Sequence, residues 1–280
     1  MQIIRELAAL RSAVAALRAD GARIAFVPTM GALHAGHMAL VAEGRRRATH
    51  VVASIFVNPT QFGANEDLST YPRREASDAK MLDDEGCAIL WLPDVGIMYP
   101  NGPEITVRAG PLGDELDGAA RPGHFDGVVT VVSRLFDQVK PDIALFGEKD
   151  YQQLLVIRQM VAEHGLPVEI VGVPTQRDAD GLALSSRNAY LVDEERQAAR
   201  MLPRALGEAA AAIRRGVDVA EALATAKERL ARAGFDPVDY VELRDPATLQ
   251  SLATLERPAR LLAAARIGGT RLIDNVKVER

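Results

Sequence analysis

From residue 23 onward the chain alternates short apolar runs with stretches of helical period, and this alternation narrows the possible folds more than any other feature. "RIAFV", "HVVASIFV", "CAILWLP", "DIALF" and "VEIVGV" read as buried strands. Between them "HMALVAEGRRRA", "SDAKMLDDEG", "DGVVTVVSRLFDQVK" and "YQQLLVIRQMVAEHG" repeat apolar residues at helical spacing. Strand, helix, strand in this order predicts parallel strands joined by crossover helices. The expected fold class is α/β, a Rossmann-like doubly wound parallel sheet over residues 1–175. After about Thr175 the texture changes. "DEERQAARMLPRALGEAAAAIRRG" and "VAEALATAKERLARAG" predict alanine-rich helices, and "VDYVELR", "RLLAAARIG" and "TRLIDNVKVE" predict antiparallel strands. Residues 176–280 are therefore expected to form a second, smaller α+β domain.

Two stretches fall outside the alternation. "MQIIRELAALRSAVAALRADG" leaves one apolar stripe between its charges, so it predicts an amphipathic helix and not an export signal. Between Pro100 and His124 the chain holds five glycines and four prolines in 25 residues, which predicts loop around one short strand, "EITVRA".

Composition excludes several functions. With a net charge of -5 the chain lacks the clustered Lys and Arg that a nucleic-acid surface needs. Residues 24–42 carry no charge, yet Pro28, Gly31, Gly36 and two histidines interrupt them too often for a membrane span. The single cysteine, Cys87, closes no intrachain disulfide, sits in an apolar run and reads as core, which fits a cytoplasmic location.

Ligands of an open parallel sheet sit outside the carboxyl ends of its strands. "PTMGALHAGH" follows the first strand, "NPTQF" the second and "GEKDYQQ" the strand "DIALF", while "LSSRN" lies beyond "VEIVGV". Gly31 and Gly36 have P-loop spacing, but His37 and Met38 replace the Lys and Ser/Thr of that motif. A helix starting near Gly36 would aim free N–H groups at an anion, and His34 and His37 would add donors to it. The same pair also fits capping histidines without a chemical role, or zinc ligation. Zinc asks for three or four ligands, and only His50, His124, His164 and Cys87 remain. Lys149, one of five lysines, reads as a phosphate ligand or as part of a solvated turn, and Asp150 as cap of the next helix is compatible with a phosphate role for Lys149. Ser185, Ser186 and Arg187 form an oxyanion set or a helix start.

Taken together, an HxGH run after the first strand, a Lys-Asp pair after a later strand and a Ser-Ser-Arg segment beyond the sheet resemble the signatures of adenylate-forming and nucleotidyl-transferring enzymes. More narrowly, "PTMGALHAGH", "FVNPTQF", "RPGHFDGVVTVV", "FGEKDYQQL" and "GLALSSRN" resemble, in order, the pantoate-β-alanine ligase (pantothenate synthetase) family. The likeness runs through residues 26–190, and the C-terminal third agrees in size and texture without a sharp motif.

That resemblance implies ATP-dependent joining of pantoate to β-alanine through a pantoyl adenylate, with pyrophosphate and AMP released. It implies His34, His37, Lys149 and Arg187 as catalytic residues, with Ser185 and Ser186 also on the phosphates and Mg²⁺ held mainly by phosphate oxygens. The implied ATP site comprises Met30, Gly31, Ala32, Leu33, His34, Ala35, Gly36 and His37, then Gly147, Glu148, Lys149 and Asp150, then Gln176, Leu184, Ser185, Ser186 and Arg187. The second domain would thus contribute a phosphate-contacting segment. Gln61 and Gln153 are implied for pantoate: an amide orients a carboxylate without neutralising the nucleophile. Asn58, Tyr71, Arg121 and His124 are secondary candidates, and Pro28, Met30 and Phe62 would meet the gem-dimethyl group. Ala35 and Gln176 depart from the usual pattern, the first at the variable position of HxGH and the second near adenine. No protein-bound metal, nucleic acid or membrane is expected, and a homodimer is implied. A nucleotidylyltransferase of the same superfamily and a non-catalytic ATP-sensing module are the alternatives. An aminoacyl-tRNA synthetase fits poorly, because no basic RNA-binding segment is present.

Overall fold

Ile24, Ala25, Phe26 and Val27 are all buried. A strand covered by helices on both faces has no polar side. Ile24 and Phe26 enter one apolar cluster and Ala25 and Val27 another, so the period of two splits a continuous apolar run between two cores. The computed structural model describes residues 1–19, 21–63 and 66–280. They divide into one unit of Met1–Glu148 and Gln152–Pro174 and a second of Lys149–Tyr151 and Thr175–Arg280.

The first unit runs β1 (Gln2–Ile4), α1 (Leu7–Leu17), β2 (Ile24–Thr29), α2 (Ala35–Arg47), β3 (His50–Ile55), α3 (Glu75–Asp84), β4 (Ile89–Trp91), α4 (Val95–Met98), α5 (Asp117–Ala120), α6 (His124–Val139), β5 (Ile143–Gly147), α7 (Tyr151–Glu163) and β6 (Glu169–Val173). Its six strands lie in the order β1-β4-β3-β2-β5-β6, and every pairing is parallel. One core packs Leu10 and Val14 of α1, the apolar stripe of α6 and Leu154 of α7 on the sheet. The other packs Leu40 and Val41 of α2 and Leu82 of α3. This is the expected doubly wound sheet. Strand order reverses between β2 and β5, whose carboxyl ends at Thr29 and Gly147 flank the switch point where such sheets bind ligands.

The second unit holds α8 (Asp193–Ala199), α9 (Met201–Arg214), α10 (Val219–Arg232) and the antiparallel sheet β7 (Phe235–Arg244), β8 (Ala259–Ile267) and β9 (Thr270–Val278). Leu202, Leu206, Ile213 and Leu230 of its helices pack on Val241, Leu261, Ala263 and Leu272 of the sheet.

Three local expectations are corrected. The first residues are not helical: Gln2, Ile3 and Ile4 pair with Ile89, Leu90 and Trp91, and the helix begins only at Leu7. Asp20, near the end of that expected helix, lies outside the described residues. Residues 104–109 form no strand. Their backbone is satisfied by side chains of α6, with Thr106 and Val107 donating to Thr130 Oγ1 and Ala109 to the Asp126 carboxylate. The first alanine-rich helix is two, α8 and α9, meeting at Arg200. Pro203 has no N–H for the carbonyl of Ala199, and its ring crowds that carbonyl.

Candidate active site

The chain leaves β2 at Thr29, turns through Gly31 at φ +84° and Ala32 at φ +50°, and enters α2. A non-glycine residue in the left-handed region is strained by about 1 kcal/mol, and here a buried carboxylate holds it. Asp78 of α3, 2% exposed, accepts the N–H groups of Ala32 at 2.8 Å and Leu33 at 2.9 Å. Thr29 closes the turn, its hydroxyl accepting from Gly31 N and donating to the Ser54 carbonyl.

The histidines are the cap of α2. Gly36 N–H donates to His34 Nδ1 at 3.1 Å, and His34 N–H donates to His37 Nδ1 at 3.2 Å. The rings lie 4.2 Å apart. A ring nitrogen that accepts an N–H bond carries no proton, so each neutral imidazole bears its proton on Nε2. The first turn of α2 contains no acidic residue to offset its N-terminal dipole. Capping and anion donation are thus compatible: Nδ1 serves the helix, and an anion would be met from Nε2. Ala35 is exposed.

Beyond β3 the candidate side chains form one network. Asn58, 1% exposed, donates to Gln61 Oε1 at 3.0 Å and to the Gly127 carbonyl at 3.1 Å, and accepts from the Tyr99 hydroxyl at 2.6 Å. Its amide is committed to the protein and orients that of Gln61, whose Nε2 meets Met30 Sδ at 3.2 Å. α6 approaches so closely that a Cβ at Gly127 would lie 2.3 Å from the Thr60 carbonyl oxygen. His124 donates from Nδ1 to the Gln61 carbonyl at 2.9 Å, and Arg121 Nη1 meets its Nε2 at 2.9 Å. Desolvation, then the neighbouring guanidinium, push the His124 pKa down to about 4. Arg121 also grips Glu66 with two bonds of 2.6 and 2.7 Å. Burial raises the Glu66 pKa, but its bonds and attraction to Arg121 outweigh this and lower it to about 2. Tyr71 is buried and packs edge-on against Phe62.

Neighbouring glutamines of α7 have different fates. Gln152 is buried and ties down the preceding loop, accepting from Asp117 N and donating to the carbonyls of Leu112 and Glu115. Gln153 is half-buried and makes no side-chain hydrogen bond among the described residues, which leaves its amide available to a ligand.

Within the second unit, Lys149 Nζ stands 3.7 Å from Asp150 and the Lys149 side chain is 18% exposed. Asn275 donates to the Lys149 carbonyl at 2.9 Å. Gln176 is exposed and its carbonyl accepts from Leu184 N. That bond opens a hairpin whose end delivers Ser185. Ser185 caps a short 3₁₀ turn over Ser186–Tyr190 by accepting from Arg187 N at 3.3 Å, so the Ser-Ser-Arg run does start a helical turn. Each unit thus groups its own candidates: His34 with His37 and Met30 with Gln61 in the first, Lys149 with Asp150 and Ser185 with Arg187 in the second.

Sequence reasoning missed Asp78, Glu66, Tyr99, Asn275 and Asp274, whose carboxylate accepts from the Arg177 guanidinium. All but Glu66 are buried, and each acts on a residue distant in the chain, as Asp78 does over 45 and 46 positions. No spacing rule reaches that far. Cys87 is buried, and desolvation, then Glu85, push its thiol up to about 12, too high for a nucleophile. Among the described residues no three His, Cys, Asp or Glu side chains gather as a metal site, and no helix is long and apolar enough to cross a membrane.

Comparison with known proteins supplies the class. The sequence profile of the family described as pantoate-beta-alanine ligase matches residues 2–277. A pantothenate synthetase of Rhizorhabdus wittichii is 66% identical over 279 residues, covering 100% of this chain and 99% of that protein. One of Sphingopyxis alaskensis is 60% identical, with 99% and 100% covered. The crystal structure of pantothenate synthetase from Thermus thermophilus superposes with a TM-score of 0.93 at 48% identity, with both chains covered in full. The pantoate-beta-alanine ligase of Francisella tularensis, crystallised with beta-gamma ATP and beta-alanine, gives 0.84 at 34% identity, with 99% and 97% covered. With a family profile spanning nearly the whole sequence and relatives matched end to end, the chain belongs to the pantoate-beta-alanine ligase family.

Proposed function

We propose that the protein condenses pantoate with β-alanine at the expense of ATP, through a pantoyl adenylate. ATP enters as its Mg²⁺ complex, the ion carried by the phosphates. The pantoate carboxylate attacks the α-phosphorus and pyrophosphate leaves. The β-alanine amine then attacks the acyl carbon, forms the amide and displaces AMP.

In the first step charge moves onto the departing pyrophosphate, so the protein contributes mainly placed donors and cations. His34 and His37 give Nε2–H donors at the N-terminus of α2, Lys149 an ammonium, Arg187 a guanidinium, and Ser185 and Ser186 hydroxyls. Met30 to Leu33, Ala35 and Gly36 on one segment, Gly147, Glu148 and Asp150 on a second, and Gln176 and Leu184 on a third complete the ATP contacts. Gln61 and Gln153 hold pantoate. Pro28, Met30 and Phe62 meet its methyl groups, and Asn58, Tyr71, Arg121 and His124 stand around it. The enzyme works as a cytoplasmic homodimer in this proposal.

The observation that carries it is the α2 cap: two imidazoles whose Nδ1 atoms both accept backbone N–H bonds, so that both present Nε2–H donors at a helix N-terminus beside the switch point. The test is incubation with Mg²⁺, ATP and pantoate, with and without β-alanine, following pyrophosphate and AMP separately. Pyrophosphate should appear with pantoate alone, in a burst stoichiometric with enzyme, and AMP only once β-alanine is added. Pyrophosphate that never precedes β-alanine would remove the adenylate.

A further inference from the structure

The C-terminal sheet has no motif of its own in the sequence, yet two adjacent residues of its edge strand touch both segments of the second unit that are assigned above to the phosphates. Asp274 and Asn275 of β9 are 2% and 3% exposed. Asn275 Oδ1 accepts from Arg260 Nε at 2.7 Å, and Nδ2 donates to the Lys149 carbonyl at 2.9 Å. The amide has one possible orientation, because a guanidinium only donates and a carbonyl only accepts. Arg260 is itself held, its guanidinium stacked 3.9 Å over the ring of Tyr151, whose hydroxyl donates to the Pro246 carbonyl. The chain is thus held at the Lys149 carbonyl and again two residues on, at the Tyr151 side chain.

Asp274 takes the other segment. Its two oxygens accept from Arg177 Nη1 and Nη2 at 2.7 and 2.8 Å. The same guanidinium donates to the carbonyls of Gly181 at 3.0 Å and Asn275 at 3.3 Å. It therefore clamps a hairpin across its width to the strand. That hairpin is closed by Leu184 N to Gln176 O and by the pairing of Arg177 with Ala183, and Ser185 follows directly. Asn188 Nδ2, donating to the Ala183 carbonyl, locks the far side.

A partly buried ion pair and a buried amide are poor sources of stability, since apolar side chains of the same volume often serve as well. What they provide is one defined geometry. We propose that Asp274 and Asn275 are positioning residues for the ATP chemistry: Asn275 sets the Lys149 backbone, and Asp274, through Arg177, sets the hairpin that delivers Ser185, Ser186 and Arg187. Both act through other residues, Asp274 through Arg177 and Asn275 through the Lys149 carbonyl. This rests on the assignment of Lys149 and Arg187 to the phosphates made above.

The test is Asn275→Asp, which keeps the acceptor for Arg260 but turns an oxygen toward the Lys149 carbonyl, with Arg177→Lys as its counterpart on the hairpin. Pantoate-dependent exchange of pyrophosphate into ATP should lose about tenfold in kcat/KM for ATP in either variant, with KM for pantoate within about twofold of wild type. In a Lys149→Ala background, Asn275→Asp should weaken ATP affinity, read by calorimetry, no further, because both changes remove the same contribution. Arg177→Lys decides alone if Asn275→Asp fails to give a cooperative thermal transition, since the Arg177 side chain is 28% exposed. Folded variants with wild-type ATP kinetics, or losses that multiply in the double variant, would overturn the positioning role. A wild-type chain without pantoate-dependent exchange would instead count against the proposed reaction.

Discussion

Single residues do two things at once in this site, and mutations there have to be read accordingly. His37 closes the cap of α2 by accepting the His34 N–H and, in the proposed reaction, donates from Nε2. His37→Ala should cost about 2.7 to 4 kcal/mol of transition-state stabilisation, by analogy with loss of one oxyanion donor, and about 1 kcal/mol of folding stability for the lost cap. A turnover assay and a urea titration separate the two, and near-normal turnover in a folded variant would remove His37 from the chemistry. Asp78→Ala removes the acceptor of the Ala32 and Leu33 N–H groups and should lower stability by about 2 to 4 kcal/mol. An unchanged urea midpoint would contradict that role. His124 sets a pH dependence. Its folded pKa of about 4 lies below the ordinary 6.5, so between these values the unfolded chain takes up a proton that the folded chain refuses. Stability is full above pH 6.5 and falls as pH drops to 4, by no more than about 3 kcal/mol. Glu66 adds a second acid-labile window between its ordinary 4.5 and about 2. Unfolding free energies of wild type and His124→Gln measured from pH 7 to 4 should diverge in slope, and parallel curves would exclude the effect. The histidine pair itself was legible in the sequence, but the use of each Nδ1 was not, because capping geometry appears only once the helix start is fixed at Ala35.

At the scale of elements, the strands with apolar residues on both faces were legible and the segments that borrow their hydrogen bonds were not. Ile24–Thr29 and Ile143–Gly147 lie where the apolar runs put them. "EITVRA" has the composition of a strand, but Thr130 and Asp126 of α6 take the N–H groups that a neighbouring strand would have bound. The three residues of β1 gain their identity only by pairing with β4, more than 80 positions away. Gly127 is the element-level fact closest to function. Its missing side chain lets α6 meet the loop that carries Gln61. Gly127→Ala should cost about 1 to 3 kcal/mol through overpacking and raise KM for pantoate more than KM for ATP. Equal effects on both substrates would break the link between this contact and Gln61.

At the scale of the whole molecule, the chain builds two units with separate cores, but the second is not a simple C-terminal appendage: it includes Lys149–Tyr151 from the junction of β5 and α7. A fragment ending at Pro174 keeps both faces of the six-stranded sheet and should still melt cooperatively. It loses Asn275, Arg260 and Pro246, the partners of Lys149 and Tyr151, and should bind ATP far more weakly than the full chain in calorimetry. Full affinity in the fragment would refute this. The shared junction also limits how such proteins can diverge by recombination. A crossover that exchanges everything after residue 174 between two distant relatives would graft a foreign tail onto a resident tripeptide. Viable chimaeras are therefore expected to be those in which the tripeptide travels with the tail, so that both parts share one ancestry.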